Sequence, residues 1–302
     1  MSKMGALRRD RIRRQVAWAA CAALLLVTIF PPDVARAAEL RQPTLDAYDR
    51  YVRLSEAQLD GSDASAAHFL WVDRLPAERR AAATAELQRG EVVIEPLETL
   101  SEGKPIQVPG GMIHDWIATV FIPGATLQQT LAFEENYDQH HAYFQPHVVR
   151  SKILSRDGDN FAVYFRLREQ KVITSILDTD HAVHYQVLDA TRAFSRSHTT
   201  RIQEVENAGT SEEKLRPAGD DNGFLWRMQT YWRFQEKGGG TYVECRSISL
   251  TRDIPTGLAW LVGPFVKSIP RESLTFTLGK TRSGLLQLQA AHPKSSAREI
   301  PE

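Results

Sequence analysis

Residues 224–250 read FLWRMQTYWRFQEKGGGTYVECRSISL, and this stretch decides the fold. Two runs of alternating apolar and polar residues flank the glycines at 238–240, a pattern typical of two antiparallel strands joined by a hairpin turn. The turn places Glu236 opposite Thr241, and the pairs that follow on the same face are Phe234 with Val243, Trp232 with Cys245 and Thr230 with Ser247.

Strand alternation divides this hairpin into two faces. The predicted dry face carries the following apolar residues: Trp226, Met228, Trp232, Phe234, Val243 and Cys245. The other face is predicted to meet water, and there Arg233 lies opposite Glu244 in a cross-strand pair that contributes ~0.2–1 kcal/mol. The dry face requires an apolar cover.

The segment after the hairpin supplies that cover. Ser268 and Pro270 are typical of a helix start, with Ser268 as the cap and Pro270 in the first turn. The predicted helix runs to about residue 290, and one stripe of it carries Leu274, Leu278, Thr281, Leu285 and Leu288. Before it, TGLAWLVGPFVK (256–267) predicts a broken helical segment that is interrupted at Gly263-Pro264.

The rest of the chain predicts helices followed by strands. Two helices are indicated at 45–59 and 76–90, the second beginning at Pro76 and ending at Gly90. A Gly- and Pro-rich connector at 101–111 leads to a strand from Met112 and a helix over 126–144. Strands are then predicted at 147–156, 160–168, 171–178, 181–189 and 192–206, joined by short turns that make neighbours antiparallel.

The first 37 residues have the layout of a secretory signal peptide. A basic head precedes the apolar run Val16–Phe30, and Ala35-Arg36-Ala37 offers a small-residue cleavage site. We expect cleavage near Ala37 and a periplasmic or secreted mature protein. The alternative is an uncleaved membrane anchor at the amino terminus.

The charge composition argues against a nucleic-acid partner. The 302 residues carry a formal net charge of +0, but residues 1–37 hold seven basic and two acidic side chains. The remainder therefore has 30 basic and 35 acidic side chains, which argues against a nucleic-acid-binding protein. Because Cys21 lies in the signal segment, Cys245 would be the only cysteine of the mature chain, which then forms no internal disulfide.

The histidines do not predict a metal site. His140 and His141 are adjacent on a helix, so their side chains point about 100° apart, and together with His147 they are interpreted as solvated or capping residues. His181 and His184 point to opposite faces of a strand. We predict neither a metal nor a cofactor.

No motif for catalysis occurs in the sequence. His198 is a candidate acid or base only if its strand face lines the ligand site. Cys245 is predicted to face inward beside Trp232, where burial raises its pKa and makes the thiol inert.

The order of elements over roughly residues 112–290 resembles the helix-grip fold of the START and polyketide cyclase-dehydrase-like (SRPBCC) superfamily. The resemblance is carried by TYWRF (230–234), GGGTYVECRSISLTRDIP (238–255) and PFVKSIPRESLTFTL (264–278). It implies an α+β fold in which a curved antiparallel sheet of about six or seven strands wraps a long carboxy-terminal helix, with an apolar ligand in the gap. Residues 38–111 would be a helical extension and connector, and 291–302 a disordered tail.

The resemblance and the strand parity together predict which residues line the cavity. They are His114, Trp116, Trp226, Met228, Thr230, Trp232, Phe234, Val243, Cys245, Ser247, Phe265, Leu274 and Leu278. His114, Thr230 and Ser247 are the predicted polar contributors.

The leading hypothesis is an exported protein that binds or transfers a hydrophobic small molecule, such as a lipid, an isoprenoid or a polyketide-like compound. One alternative is an enzyme of the cyclase or dehydratase type that uses the same cavity, and another is an envelope module whose core is filled. Trp260 and Phe265 are interpreted as residues buried against the sheet, with a mobile lid or a transient membrane contact as the alternatives, and the sequence indicates no protein partner.

Overall fold

The computed structural model describes most of the chain after the predicted signal peptide. The described ranges are 38–62, 68–170, 174–217, 220–254 and 259–291. The signal segment and residues 292–302 of the predicted tail lie outside them, as do the side chains of 38–39, 60–62, 220 and 259–267. None of the described helices has the length and the apolar character needed to cross a bilayer.

One antiparallel sheet dominates the described structure. Its long strands and one short edge strand, numbered in chain order, are β1 Val93–Pro96, β2 Gly111–Pro123, β3 Val148–Asp157, β4 Asn160–Gln170, β5 Thr174–Val187, β6 Arg192–Glu206, β7 Arg227–Lys237 and β8 Gly240–Arg252. Their spatial order is β1-β2-β8-β7-β6-β5-β4-β3, and the short strand Lys214–Leu215 pairs with β6. Two further ladders pair Ala38–Glu39 with Asp220–Asp221 and Leu100–Ser101 with Lys104–Pro105.

Five α-helices accompany the sheet within the described ranges. They are α1 Gln42–Ser62, α2 Ala77–Gln88, α3 Leu127–Glu134, α4 His140–Tyr143 and α5 Ala259–Ala291, with 3-10 turns at Trp71–Arg74 and Tyr137–Gln139. As predicted, α2 follows Pro76 and ends before Gly90, whose φ of +85° favours glycine. The large antiparallel sheet gripping a long carboxy-terminal helix confirms the predicted α+β, helix-grip fold class.

The register of the β7–β8 hairpin is the predicted one. Trp232 pairs with Cys245, Arg233 with Glu244, and Glu236 with Thr241 across the turn. Gly238 and Gly239 have φ of +63° and +81°, so the turn needs a backbone conformation that residues with a Cβ rarely adopt.

The face of the sheet that packs on α5, here called the helix face, carries the main apolar core. Val120, Phe234 and Val243 are fully buried there beneath Leu278 and Leu285 of α5. Four of the five residues predicted for the apolar stripe are buried: Leu274, Leu278, Thr281 and Leu285. Leu288, at 36 % exposure, lies outside the core.

The opposite face, here called the outer face, does not meet water as the sequence predicted. Arg233, Glu244 and Arg246 are buried, because α1, the segment 69–72 and α2 lie over them. Tyr48 and Tyr51 of α1 pack against Ile248 and Leu250 in a second apolar cluster. The predicted helical extension is therefore the cover of a second face of the same sheet.

Two elements differ in continuity from the prediction. The strands expected at 171–178 and 181–189 are one strand, β5, because Asp180 pairs with Arg201 and so continues the ladder. A β-bulge lies between Asp180 and His181. The helix expected over 126–144 ends at Glu134, because Asn136 has non-helical φ and ψ of −80° and 56°.

The carboxy-terminal helix begins earlier than predicted. It starts at Ala259 instead of Ser268 and continues through Gly263, Pro264 and Pro270. Proline fixes φ near the helical value and removes one hydrogen bond, so a long helix held by its packing on a sheet can accommodate it.

Candidate functional site

The helix face can be followed row by row, because residues that pair across neighbouring strands point to the same side. One row crosses β2, β8, β7 and β6 and consists of Val120, Val243, Phe234 and Ala193. The next holds Ala118, Cys245, Trp232 and Ser195, and the one after it Trp116, Ser247, Thr230 and Ser197. A fourth row begins with His114, Ser249 and Met228.

Burial falls from the Val120 row to the Trp116 row, while His114 and Ser249 of the fourth row are buried again. Every member of the Val120 row is fully buried. Every member of the Trp116 row is only half-buried, as are Met228 and Trp232 beside it. The helix face therefore has a sealed end, near the β7–β8 turn, and a partly open end, and six of the predicted cavity residues lie in or beside the open end: His114, Trp116, Met228, Thr230, Trp232 and Ser247.

The open end combines aromatic and hydroxyl groups. Trp232 donates from its indole Nε1 to Thr230 Oγ1 at 3.2 Å, which fixes the ring beside the strand. His114 Nε2 lies 3.0 Å from Thr251 Oγ1, and its imidazole is buried. Trp116 and Trp232 both pack against the main core, so their remaining surface borders apolar side chains. Such a surface suits a molecule with an apolar body and a few polar atoms.

A buried polar group lies beneath the helices at the sealed side. Thr281 of α5 donates to Glu134 Oε1 at 3.0 Å, and His140 Nε2 lies 3.0 Å from the carbonyl oxygen of Glu134. Burial raises the pKa of Glu134 to about 7, against the opposing effect of the Thr281 hydrogen bond. Burial lowers the pKa of His140 to about 4, so this imidazole is neutral at neutral pH.

Two tyrosines connect these helices to the sheet. The hydroxyls of Tyr137 and Tyr185 lie 2.7 Å apart, and both rings are buried. Burial raises the pKa of each phenol above its ordinary value. Two rows further along β5, His181 Nε2 lies 3.0 Å from Thr179 Oγ1, and burial lowers the pKa of His181 to about 4. These groups are neutral hydrogen-bonding groups inside the grip.

Six of the residues predicted to line a cavity lie in or beside the open end, whereas the buried polar group around Glu134 was not predicted as a site. Glu134 follows Leu127 by seven positions and Thr130 by four, so it lies on the buried face of α3, and helical spacing was the available signal. For the polar side chains of the helix face itself, the sequence signal is a recurrence of hydroxyl residues at every second position. These residues are Ser195, Ser197 and Thr199 on β6, and Ser247, Ser249 and Thr251 on β8.

Two predicted lining residues stand apart from the others. Trp226 packs on the outer face with Tyr48 and Tyr231, so the prediction that it shares the face of Trp232 is wrong. It precedes β7 and is not bound by the strand alternation, and its indole Nε1 donates to Asp221 Oδ1 at 3.0 Å. The side chain of Phe265 lies outside the described residues.

The remaining lining residues belong to the main core. Phe234, Val243, Cys245, Leu274 and Leu278 are buried core residues there. Burial raises the pKa of the Cys245 thiol well above its ordinary value, as predicted for an inert cysteine.

The other histidines are dispersed. His141 interacts with Ser151, and His147 Nδ1 lies 3.0 Å from Glu169 Oε1 with its ring stacked on Phe276. His198 is exposed on the outer face, so the condition set for its role as acid or base is not met. Within the described ranges, His, Cys, Asp and Glu side chains form no group of three or more that could hold a metal ion.

Comparison with known proteins gives structural likeness only. No protein-family model and no curated protein sequence matches the chain. Similar solved structures include a STAR-related lipid transfer protein of Xanthomonas axonopodis, with a TM-score of 0.40 and 15% identity over 64% of this chain and 99% of that one.

Two further solved structures are similar at the same level. A START superfamily protein of Mycobacterium smegmatis has a TM-score of 0.38 and 12% identity over 58% of this chain and 98% of that one. The Zhui aromatase/cyclase of a Streptomyces species has a TM-score of 0.38 and 10% identity over 60% and 99%. The chain is thus similar to START and polyketide aromatase/cyclase structures at a low level of superposition, and its helix-grip fold is established by its own topology.

Proposed function

We propose that the protein binds a hydrophobic small molecule at the open end of the helix face. The observation that carries this proposal is the incomplete burial of Trp116, Met228 and Trp232. All three side chains point to the same side as the sealed core, Trp116 and Trp232 pack against it, and each of the three keeps solvent-accessible surface. A bound apolar molecule would complete their burial, at roughly 25 cal/mol per Å2 of apolar surface removed from water.

The polar groups of the open end support the same proposal. Ser247 and Thr230 follow Trp116 in the same row, and Thr230 is two positions before Trp232 on β7. His114 lies one row further along β2. They would orient the polar part of the ligand by hydrogen bonds, while the tryptophans provide rigid apolar contact area.

The test compares tryptophans on the two faces. Trp116→Ala and Trp232→Ala remove open-end surface, whereas Trp71→Ala removes a half-buried tryptophan that packs in the cluster beneath α2. The ligand is first identified by native mass spectrometry of protein purified without detergent, followed by solvent extraction. Its affinity is then measured for the three variants by calorimetry.

We expect each open-end variant to weaken binding about tenfold or more, a loss of ~1.4 kcal/mol or more, while Trp71→Ala leaves affinity within about twofold. Equal losses in all three variants would refute the assignment of the site. Protein that is empty on purification and stays empty after exposure to a total lipid extract would count against the function itself.

We also propose that the protein is exported and acts outside the cytoplasm. The support is the layout of residues 1–37 described above. Amino-terminal sequencing of protein from its native host tests the proposal. A mature terminus close to residue 38 agrees with cleavage, and an intact Met1 in a membrane fraction indicates the anchored alternative.

A further inference from the structure

One asparagine of the chain precedes a glycine. The four asparagines are Asn136, Asn160, Asn207 and Asn222, and only Asn222 is followed by a glycine, Gly223. In such a pair the backbone nitrogen of the glycine can attack the side-chain amide carbon of the asparagine, because glycine has no Cβ to hinder the approach. The sequence therefore makes Asn222 the asparagine of this chain that is most prone to spontaneous deamidation.

The pair lies in the segment 220–223, which is anchored on a buried carboxylate. Asp221 is buried, and its Oδ1 accepts hydrogen bonds from the Gly223 N–H at 2.8 Å and from the indole Nε1 of Trp226 at 3.0 Å. Trp226 lies in the same apolar cluster as Tyr48 of α1. The segment 220–223 thus helps to attach α1 to the sheet.

Glu204 of β6 holds the asparagine itself. Asn222 donates from Nδ2 to Glu204 Oε1 at 2.6 Å and from its backbone nitrogen to Oε2 at 3.0 Å. Hydrogen bonds to a carboxylate are about twice as strong as neutral ones, so this pair of bonds restrains the amide firmly. Glu204 is buried, whereas Asn222 is exposed and accessible to water.

These bonds oppose deamidation at both reacting groups. The Gly223 nitrogen must lose its proton before it attacks, and its hydrogen bond to Asp221 keeps that proton in place. The Asn222 amide must turn toward the Gly223 nitrogen, and its bond to Glu204 keeps it directed at β6. The reaction therefore requires the segment 220–223 to open.

We propose that Asn222 is a deamidation site that the fold keeps closed, and that its modification would loosen the segment 220–223. In the reaction a bond forms between the Gly223 nitrogen and Asn222 Cγ, and the side-chain nitrogen leaves as ammonia with the proton that Gly223 gives up. Water then opens the succinimide ring to aspartate or isoaspartate. The new carboxylate would meet that of Glu204 where the amide now donates at 2.6 Å, so repulsion between like charges replaces a hydrogen bond.

The first test measures the reaction by peptide mapping with mass spectrometry, on the full chain kept at mildly alkaline pH. We expect Asn222 to deamidate at least about tenfold more slowly in the folded protein than in urea, because local opening is populated by only a small fraction of molecules. Glu204→Gln should speed the reaction in the folded protein about fivefold, since neutral hydrogen bonds replace charge-assisted ones. Glu206→Gln, whose carboxylate pairs with Lys214 and Arg216, is the control and should match the wild type.

The second test measures the effect of the product. Asn222→Asp should lower the melting temperature by about 4 °C or more, whereas Asn207→Asp, at an exposed asparagine, should change it by less than about 1 °C. The double variant N222D/E204Q has one carboxylate at the site and should recover most of the loss. Circular dichroism checks that each variant is folded.

Four results would overturn the proposal, and none of them depends on the ligand of the open end. Equal rates of deamidation in the folded protein and in urea would show that the fold does not protect Asn222. Unchanged protection in Glu204→Gln would show that this carboxylate is not the restraint. A melting temperature of Asn222→Asp equal to that of the wild type, or of N222D/E204Q no higher than that of Asn222→Asp, would reject the repulsion between the two carboxylates.

Discussion

Near the turn of the β7–β8 hairpin both faces are buried, but their side chains are of opposite kinds. On the helix face, Phe234 and Val243 are sealed by the apolar side of α5. One residue further along each strand, Arg233 and Glu244 are sealed on the outer face by α1 and the segment 69–72. The helix face is held by apolar contact, and the outer face by hydrogen-bonded charges.

The outer face is closed by a network that joins four parts of the chain. Arg246 donates from Nε to Asp115 Oδ1 at 2.9 Å and from Nη2 to Thr99 Oγ1 at 3.0 Å. From α1, Tyr51 donates to Asp115 Oδ2 at 2.8 Å and Ser55 lies 3.2 Å from Arg246 Nη2. Burial acts to lower the pKa of Arg246, but the hydrogen bond and charge of Asp115 outweigh it and raise that pKa.

The contrast between the faces shows why alternation alone misleads. Alternation separates the apolar side of a strand from the polar side, but it does not say which side is covered. A charged side can be covered when the covering helix brings hydroxyl groups that satisfy the charges, as Tyr51 and Ser55 do here.

The largest effect is expected when a charge of the outer face loses its partner. Arg246→Met leaves the buried carboxylate of Asp115 without its cation, which should cost about 3–5 kcal/mol in the free energy of unfolding. The double variant Asp115→Leu with Arg246→Met replaces both charges by apolar groups and should recover most of that loss. Urea unfolding measures both, and a double variant no more stable than Arg246→Met would mean that the ion pair itself provides the stability.

A somewhat smaller effect is expected on the helix face. Leu278→Ala creates a cavity against a fully buried core and should cost about 2–5 kcal/mol. Leu288→Ala, on the same helix but 36 % exposed, should change stability by less than about 0.5 kcal/mol. Similar losses of stability at the two leucines would contradict the finding that Leu278 belongs to the core and Leu288 lies outside it.

Much of this fold could be predicted from the sequence. The turn glycines fix the hairpin register, and alternation then places Trp232, Phe234, Val243 and Cys245 on the same side, as observed. These are local signals, because a strand period and a turn conformation are properties of a few neighbouring residues.

What could not be predicted depends on residues far apart in the chain. Arg246 is polar and looks solvated until Ser55, 191 positions away, is placed over it. Asp180 looks like a turn residue until Arg201 pairs with it across the sheet and keeps β5 continuous. Glu134 looks like an unfavourable charge on the buried face of α3 until Thr281 of α5, 147 positions away, donates a hydrogen bond to it. In each case a tertiary partner overrides the local pattern.

The titration of Glu134 tests how deeply the polar group beside the helix face is buried, without a change in side-chain volume. Its pKa is raised from 4.5 in a water-exposed state to about 7 by burial. A raised carboxyl pKa stabilises the fold below pH 4.5, and this contribution is lost as the pH rises through 7.

Glu134→Gln is neutral at every pH and can still accept the hydrogen bond from Thr281. Relative to the wild type, it should gain up to about 3 kcal/mol in unfolding free energy between about pH 4 and pH 8. His140 and His181 are present in both proteins, so their own titration cancels in the difference. Urea unfolding across this range measures it, and a difference independent of pH would show that Glu134 is not desolvated as described.

The smallest effect is expected where the outer face has no helix above it. Arg201 donates to both carboxylate oxygens of Asp180, at 2.6 and 2.9 Å, but its side chain is 36% exposed. Arg201→Ala should therefore cost less than about 1 kcal/mol, and added salt should reduce even that, because solvent and counterions screen the pair. Arg246→Met should lose stability at any salt concentration, since its network is out of reach of ions. If the two substitutions lower the free energy of unfolding equally, then the cover provided by α1 does not determine how much a charged pair of the outer face contributes to stability.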